Sequence, residues 1–135
     1  MIGESDKRII AYLLSRLGCV HPFRLSRILA LADLVMLEER GRRLTGLRYV
    51  PGPGTFYVEG LKELFESDPC FEVRRGDPER GVRGCVAYRC EPPSLGGEER
   101  SVLDRAAREA EGLDDMELNR RVLEHPLYGR LAGEG

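Results

Sequence analysis

The chain has no tryptophan and no glutamine, and Asn119 is its single asparagine. Lys7 and Lys62 are its two lysines, so the basic side chains are almost all arginine. A shortage of thermolabile amides fits a heat-adapted source, while a GC-rich genome produces the arginine bias equally well. No run approaches the roughly 20 apolar residues that a membrane span requires, so no membrane association is expected. The opening stretch MIGESDKRIIAYLL sets acids and bases ahead of its apolar residues, which is the wrong order for a secretory signal. A cytoplasmic protein is the expectation. An excess of positive charge is missing too, with a net charge of −2. That argues against a general nucleic-acid or membrane binder, which is usually basic, and leaves room for a local basic patch.

Signatures of catalysis and metal binding are also absent. The four cysteines, Cys19, Cys70, Cys85 and Cys90, form no CxxC pair, and His21 and His125 stand far apart. Zinc-ligand spacing is therefore lacking, and no metal is expected. Free buried thiols are the first expectation and a disulfide the second. The chain holds no P-loop, no GxSxG, no HExxH and no dinucleotide fingerprint. His21 and His125 each precede a proline, and a base of that kind needs a neighbouring nucleophile. Neither Ser26 nor any cysteine lies in such a motif. The expectation is a protein without cofactor that is not an enzyme.

What is present is an ordinary globular composition, 41% apolar and 33% charged over 135 residues. That length suits one domain with a real core. Residues 1–135 are read as a single domain, its core about 6–128, with a frayed tail at 129–135. Apolar residues at helical spacing predict helices over 6–17 and 22–40. Leu25, Ile28, Leu29, Ala32, Val35 and Met36 form one stripe of the second, and Leu31, Leu34 and Leu37 widen it. A helix apolar on most sides belongs in the middle of a fold. Leu47 to Val50 read as a short extended segment that ends at Pro51. A third helix is expected over 57–67, with Gly60 inside it at a cost of about 1 kcal/mol against alanine.

CFEVRR and RGCVAYRC then alternate apolar and polar residues on either side of a charged loop, which predicts a hairpin. Joining Phe71 and Val73 to Val86 and Tyr88 on one face makes the register sum odd. Direct opposition of Cys70 and Cys90 needs an even sum, so this register argues against that disulfide unless a bulge intervenes. Helices over 98–111 and 114–124 follow, the latter capped by Asp114 or Asp115. The fold class is α+β: a mostly helical single domain with a small antiparallel hairpin.

Three features are candidates for binding. Asp33 sits within the most apolar helix, where a carboxylate must be paired or face a groove. Arg74, Arg75, Arg80, Arg83 and Arg89 gather on the hairpin and its loop, as on a wing that touches phosphate, although Asp77 and Glu79 share that loop. This supports a winged-helix regulator as the alternative reading. The third is the corner PGPGTFY at residues 51–57, which presents Phe56 and Tyr57 rigidly.

Residues 25–66 resemble the SocA-like antitoxin family, also called the Panacea domain. The resemblance is carried by Leu29, Leu31, Ala32, Asp33, Glu38, Gly41, Thr45, Gly46, Tyr49, Gly52, Pro53, Gly60 and Leu61. The tail resembles that family's closing segment through Leu123, His125 and Tyr128. Thr55 and Phe56 stand where the family has a second Gly-Pro, and Tyr128 replaces its tryptophan. The resemblance implies a binding protein that neutralises a toxin, or delivers a client to a protease, by direct contact. Its contact surface would be Asp33, Thr45, Tyr49, Gly52, Pro53, Phe56 and Tyr57. The oligomeric state stays open.

Overall fold

A computed structural model describes residues 1–132. Helix α1 spans Glu4–Leu17 and α2 spans Pro22–Arg40. Strands β1 (Tyr49–Gly52) and β2 (Thr55–Val58) follow, then α3 (Leu61–Ser67) and strand β3 (Phe71–Arg74). After a 3-10 turn at Pro78–Arg80 come β4 (Cys85–Tyr88), α4 (Gly97–Glu111), α5 (Asp115–Leu123) and α6 (Tyr128–Leu131). The strands form two separate two-stranded antiparallel sheets, β1–β2 and β3–β4. The mostly helical α+β architecture is the one expected.

Helix α2 is the axis of the fold. His21 caps it by accepting the Phe23 N–H on Nδ1 at 3.0 Å, and Pro22 fills the first turn, where no amide donor is needed. Every residue from Leu25 to Leu37 is buried, because α4, α5, α6 and β2 pack around it. A helix enclosed on all sides has little use for a polar face. Its two buried charged residues, Arg27 and Asp33, therefore need internal partners.

The first sheet overturns an expectation. Tyr57 and Val58, expected to open a helix over 57–67, belong to strand β2, which pairs with β1 as Tyr49↔Val58 through Gly52↔Thr55. Pro53 and Gly54 make the two-residue turn, with Gly54 at φ 65, the Pro-then-positive-φ pairing of a type II turn. The Pro-Gly-Pro-Gly corner therefore joins two strands rather than a strand and a helix. Helix α3 starts at Leu61, and Gly60 is its N-cap at φ 85 rather than an interior residue. A Cβ there would also lie 3.3 Å from Ile2 Cγ1. The helical spacing of Val58, Leu61, Leu64 and Phe65 misled because Val58 reaches the same core from a strand.

The second hairpin has the odd register expected, with Phe71↔Tyr88 and Val73↔Val86. The cysteines nevertheless pair: Cys70 with Cys90, and Cys19 with Cys85, at Cα separations of 5.2 and 5.3 Å. Neither free thiols nor a bulge is found. Cys90 lies just past the last ladder pair, where Arg89 N–H still donates to Cys70 O at 2.8 Å. Beyond the ladder the strict opposition rule no longer holds, and the two side chains meet diagonally. Cys19–Cys85 ties the α1–α2 connection to β4, beside two backbone hydrogen bonds, Val20 N–H to Val86 O at 3.0 Å and Val86 N–H to Val20 O at 2.8 Å.

The tail expectation changes as well. Residues 128–131 form α6, Leu131 and Ala132 are buried, and Ala132 bridges to Tyr49. Residues 133–135 lie outside the described residues. No helix is long and apolar enough to cross a membrane, among the described residues.

Candidate functional site

The expected contact residues divide into two groups. Asp33, Thr45, Tyr49 and Phe56 are buried, whereas Gly52, Pro53 and Tyr57 are exposed.

Asp33 is a fully enclosed hub. Its Oδ1 accepts the backbone N–H groups of Leu44 and Thr45, both at 2.8 Å. Its Oδ2 accepts the Thr45 hydroxyl at 2.6 Å, the Tyr49 hydroxyl at 2.8 Å and Arg43 Nη2 at 3.1 Å. Burial, and then the Asp33 charge, push the Tyr49 phenol well above its ordinary value, which keeps it a donor. Arg43 also donates to Leu47 O at 2.6 Å. The carboxylate thus folds residues 43–49 back onto α2. Asp33, Thr45 and Tyr49 form a structural clamp and offer no surface to a partner.

The β1–β2 turn stands beside an apolar groove of about 560 Å3. The first turn of α2 supplies Phe23, β2 supplies Phe56, Tyr57 and Val58, α3 supplies Leu61 and Phe65, and β3 supplies Val73. Strand alternation explains the split at the turn: Phe56 is 3% exposed and faces the core, while Tyr57 is 60% exposed at the rim. Val73 at 57% is the other exposed apolar rim residue.

Arg27 lines the same groove although only 2% of it is exposed. Its guanidinium lies between two rings, 3.7 Å from the Phe23 centroid and 4.0 Å from that of Phe56. It donates to Asn119 Oδ1 (3.0 Å), Ser26 Oγ (2.9 Å), Thr55 Oγ1 (2.7 Å) and Phe56 O (2.9 Å). Asn119 in turn donates to Gly54 O at 3.1 Å, which fastens the turn to α5. Burial lowers the Arg27 guanidinium to about 10, with Tyr128 and Asp115 acting in the opposite sense, so it stays a cation at neutral pH. Sequence reasoning missed Arg27. In the run FRLSRILA it resembles any arginine on a helix, and the ring of Phe56 arrives from 29 residues away.

Three of the five hairpin arginines are paired with carboxylates, two of them inside the hairpin and its loop and one with α5. Arg74 pairs with Glu72 at 3.4 Å, Arg80 with Asp77 at 3.4 Å, and Arg83 with Asp115. Arg75 makes no ion pair among the described residues. Helix α3, which precedes the hairpin and would have to serve as the reading helix of a winged-helix regulator, has seven residues and is about 10 Å long.

The two histidines line different hollows. His21 lies beside Cys19 and Cys85, and His125 lies with Arg120 and Arg121. Each uses Nδ1 to accept a backbone N–H, from Phe23 and Leu127 respectively, at 3.0 Å. Burial, then the charge of Arg83, lower the His21 imidazole below its ordinary range. Among the described residues no three His, Cys, Asp or Glu side chains cluster in a way that would hold a metal ion.

Comparison of the chain with protein-family models, curated proteins and solved structures finds no match.

Proposed function

We propose that this chain is a non-enzymatic protein-binding module of the SocA-like antitoxin type, which neutralises a toxin or hands a client to a protease by direct contact. One observation carries the reading. The β1–β2 hairpin holds Tyr57 at 60% exposure on an apolar groove that is also lined by Val73, 57% exposed. Exposed apolar side chains flanking a concave apolar surface are the pattern of an interaction site. Tyr57 is the anchor, a large amphipathic side chain with few rotatable bonds to order. Asn119, Arg27 and the Pro53-Gly54 turn hold its strand in place, which reduces the ordering cost of binding.

The contact surface proposed here keeps Gly52, Pro53 and Tyr57 of the family-based set, has the buried Phe56 as part of its floor, and adds Phe23, Leu61, Phe65 and Val73. Asp33, Thr45 and Tyr49 support it from behind. On this reading the protein acts in the cytoplasm, and its two disulfides then suit a heat-adapted cell, where intracellular disulfides are common.

The test is affinity capture from host lysate with the wild-type chain and a Tyr57→Ala/Val73→Ser variant, each with and without nuclease. One stoichiometric protein, held by the wild type through nuclease treatment and lost by the variant, supports the module. Recovery of DNA, with affinity falling steeply as salt rises, supports the winged-helix regulator instead. A partner held equally by both forms places the contact surface elsewhere.

A further inference from the structure

The groove has one chemical peculiarity that a purely apolar binding surface does not need. Arg27 is a buried cation, and no carboxylate is paired with it among the described residues; its acceptors are an amide, two hydroxyls and a backbone carbonyl. Other strongly positioned arginines here do have anions: Arg43 has Asp33, and Arg24 has Asp115 at 2.9 Å. Removing a guanidinium from water without a counter-charge is costly, and hydrogen bonds to neutral groups with two aromatic faces offset only part of it. Those four hydrogen bonds use four of its five N–H donors. The remaining donor is on Nη1, and Ser26, the partner of that nitrogen, lines the groove with it.

Two further charges line the groove, Lys62 and Glu66, both exposed on α3. They offset each other, which leaves the net positive charge of Arg27 on an apolar floor. An anion reaching that floor exchanges water for a low-dielectric site with a preorganised donor, where attraction is strongest. Tyr57 and Val73 belong to the groove's own lining and are 60% and 57% exposed, so the groove lies open at its rim, as an extended chain running through it requires.

Resting on the protein-binding reading, we propose that the groove takes an extended peptide segment of the partner. The segment sets an Asp or Glu carboxylate on Arg27 and lays flanking apolar side chains on Phe23, Leu61, Phe65 and Tyr57. The carboxylate supplies the missing counter-charge, so this one contact sets sequence preference while the apolar contacts set most of the affinity.

The test begins with a random heptapeptide display library panned on the wild-type protein. Enriched sequences are expected to carry one acidic residue between apolar neighbours. A synthetic peptide of the enriched sequence is then compared by calorimetry with its carboxamide twin, Glu→Gln or Asp→Asn. The twin is expected to bind at least about tenfold more weakly, as for loss of a charge-assisted hydrogen bond in a desolvated site. Amide shifts on titration should map to the groove. Arg27→Met, a neutral side chain of similar length, should bind both peptides alike. Should that variant not fold, the two peptides on the wild-type protein still decide the matter.

Enrichment without an acidic residue, twins within about twofold of each other, shifts elsewhere, or no enrichment at all would each overturn the proposal. If a lysate partner is nevertheless captured and depends on Tyr57, the protein-binding reading survives and only the carboxylate preference is lost. If neither peptide nor partner binds, both are lost.

Discussion

Asp33 and Thr45, twelve residues apart, are joined twice: the carboxylate accepts the Thr45 backbone N–H at 2.8 Å and the Thr45 hydroxyl at 2.6 Å. The pair turns the chain after α2 back toward the core and so determines where β1 begins. Tyr49, which opens β1, closes the same site with its own hydroxyl at 2.8 Å. Asp33, expected at a partner interface, is instead a buried residue that positions the start of β1.

Asp33→Ala should cost about 3–5 kcal/mol of folding stability, because it strands the Arg43 guanidinium and several buried donors at once. Denaturant unfolding of the variant measures this directly. A loss below about 1 kcal/mol would mean that the clamp adds little beyond its geometry.

Phe56 and Tyr57 are adjacent and should behave in opposite ways. Phe56→Ala opens a cavity against Arg27, Tyr49 and Tyr128 and should cost about 3–5 kcal/mol. Tyr57→Ala should change stability by no more than about 0.5 kcal/mol while weakening partner binding. Thermal melts of the two variants separate core from contact residue, and equal destabilisation would remove that distinction.

His21 makes stability depend on pH in a definite direction. Its folded imidazole titrates below the ordinary value of 6.5, chiefly through burial. As pH falls from 6.5, the unfolded chain takes up the proton first, so stability declines until the folded value is passed. His21→Asn keeps a helix-capping acceptor and should remove this part of the decline. Chemical denaturation of both forms between pH 7 and about 5 compares the slopes; identical slopes would show that His21 does not contribute.

The two disulfides span sequence separations of 66 and 20 residues. On the loop-entropy account they stabilise by about 4 and 3 kcal/mol respectively. Mass spectrometry after alkylation should find no free thiol before reduction and four after it. Reduction should lower the melting temperature by several degrees; an unchanged melt would mean that the core alone holds the hairpin.

Much of the secondary structure is legible in the sequence because it follows from local periodicity. The 3.6-residue spacing of Ile9, Ile10, Leu13 and Leu14 marks α1, and the spacings of Val102, Leu103, Ala106 and Ala110 mark α4. The alternation of Phe71, Val73, Val86 and Tyr88 marks the second hairpin and its register. Residues 55–58 carried the right signal too, a Pro-Gly turn followed by Thr-Phe-Tyr-Val with alternate residues buried. A competing helical pattern starting at Val58 obscured it.

The sequence by itself thus determined the class of the fold, the central helix and one hairpin, since each depends on side chains only a few residues apart. Tertiary structure alone decided the rest. It turned Asp33 inward to meet Thr45, let Cys70 meet Cys90 past the end of a ladder, and slid Arg27 between Phe23 and Phe56. Those outcomes depend on groups that are distant in the chain and become neighbours only when apolar burial packs the helices and hairpins together. A buried charge shows itself only there, because its partners are chosen by the packing and not by sequence spacing.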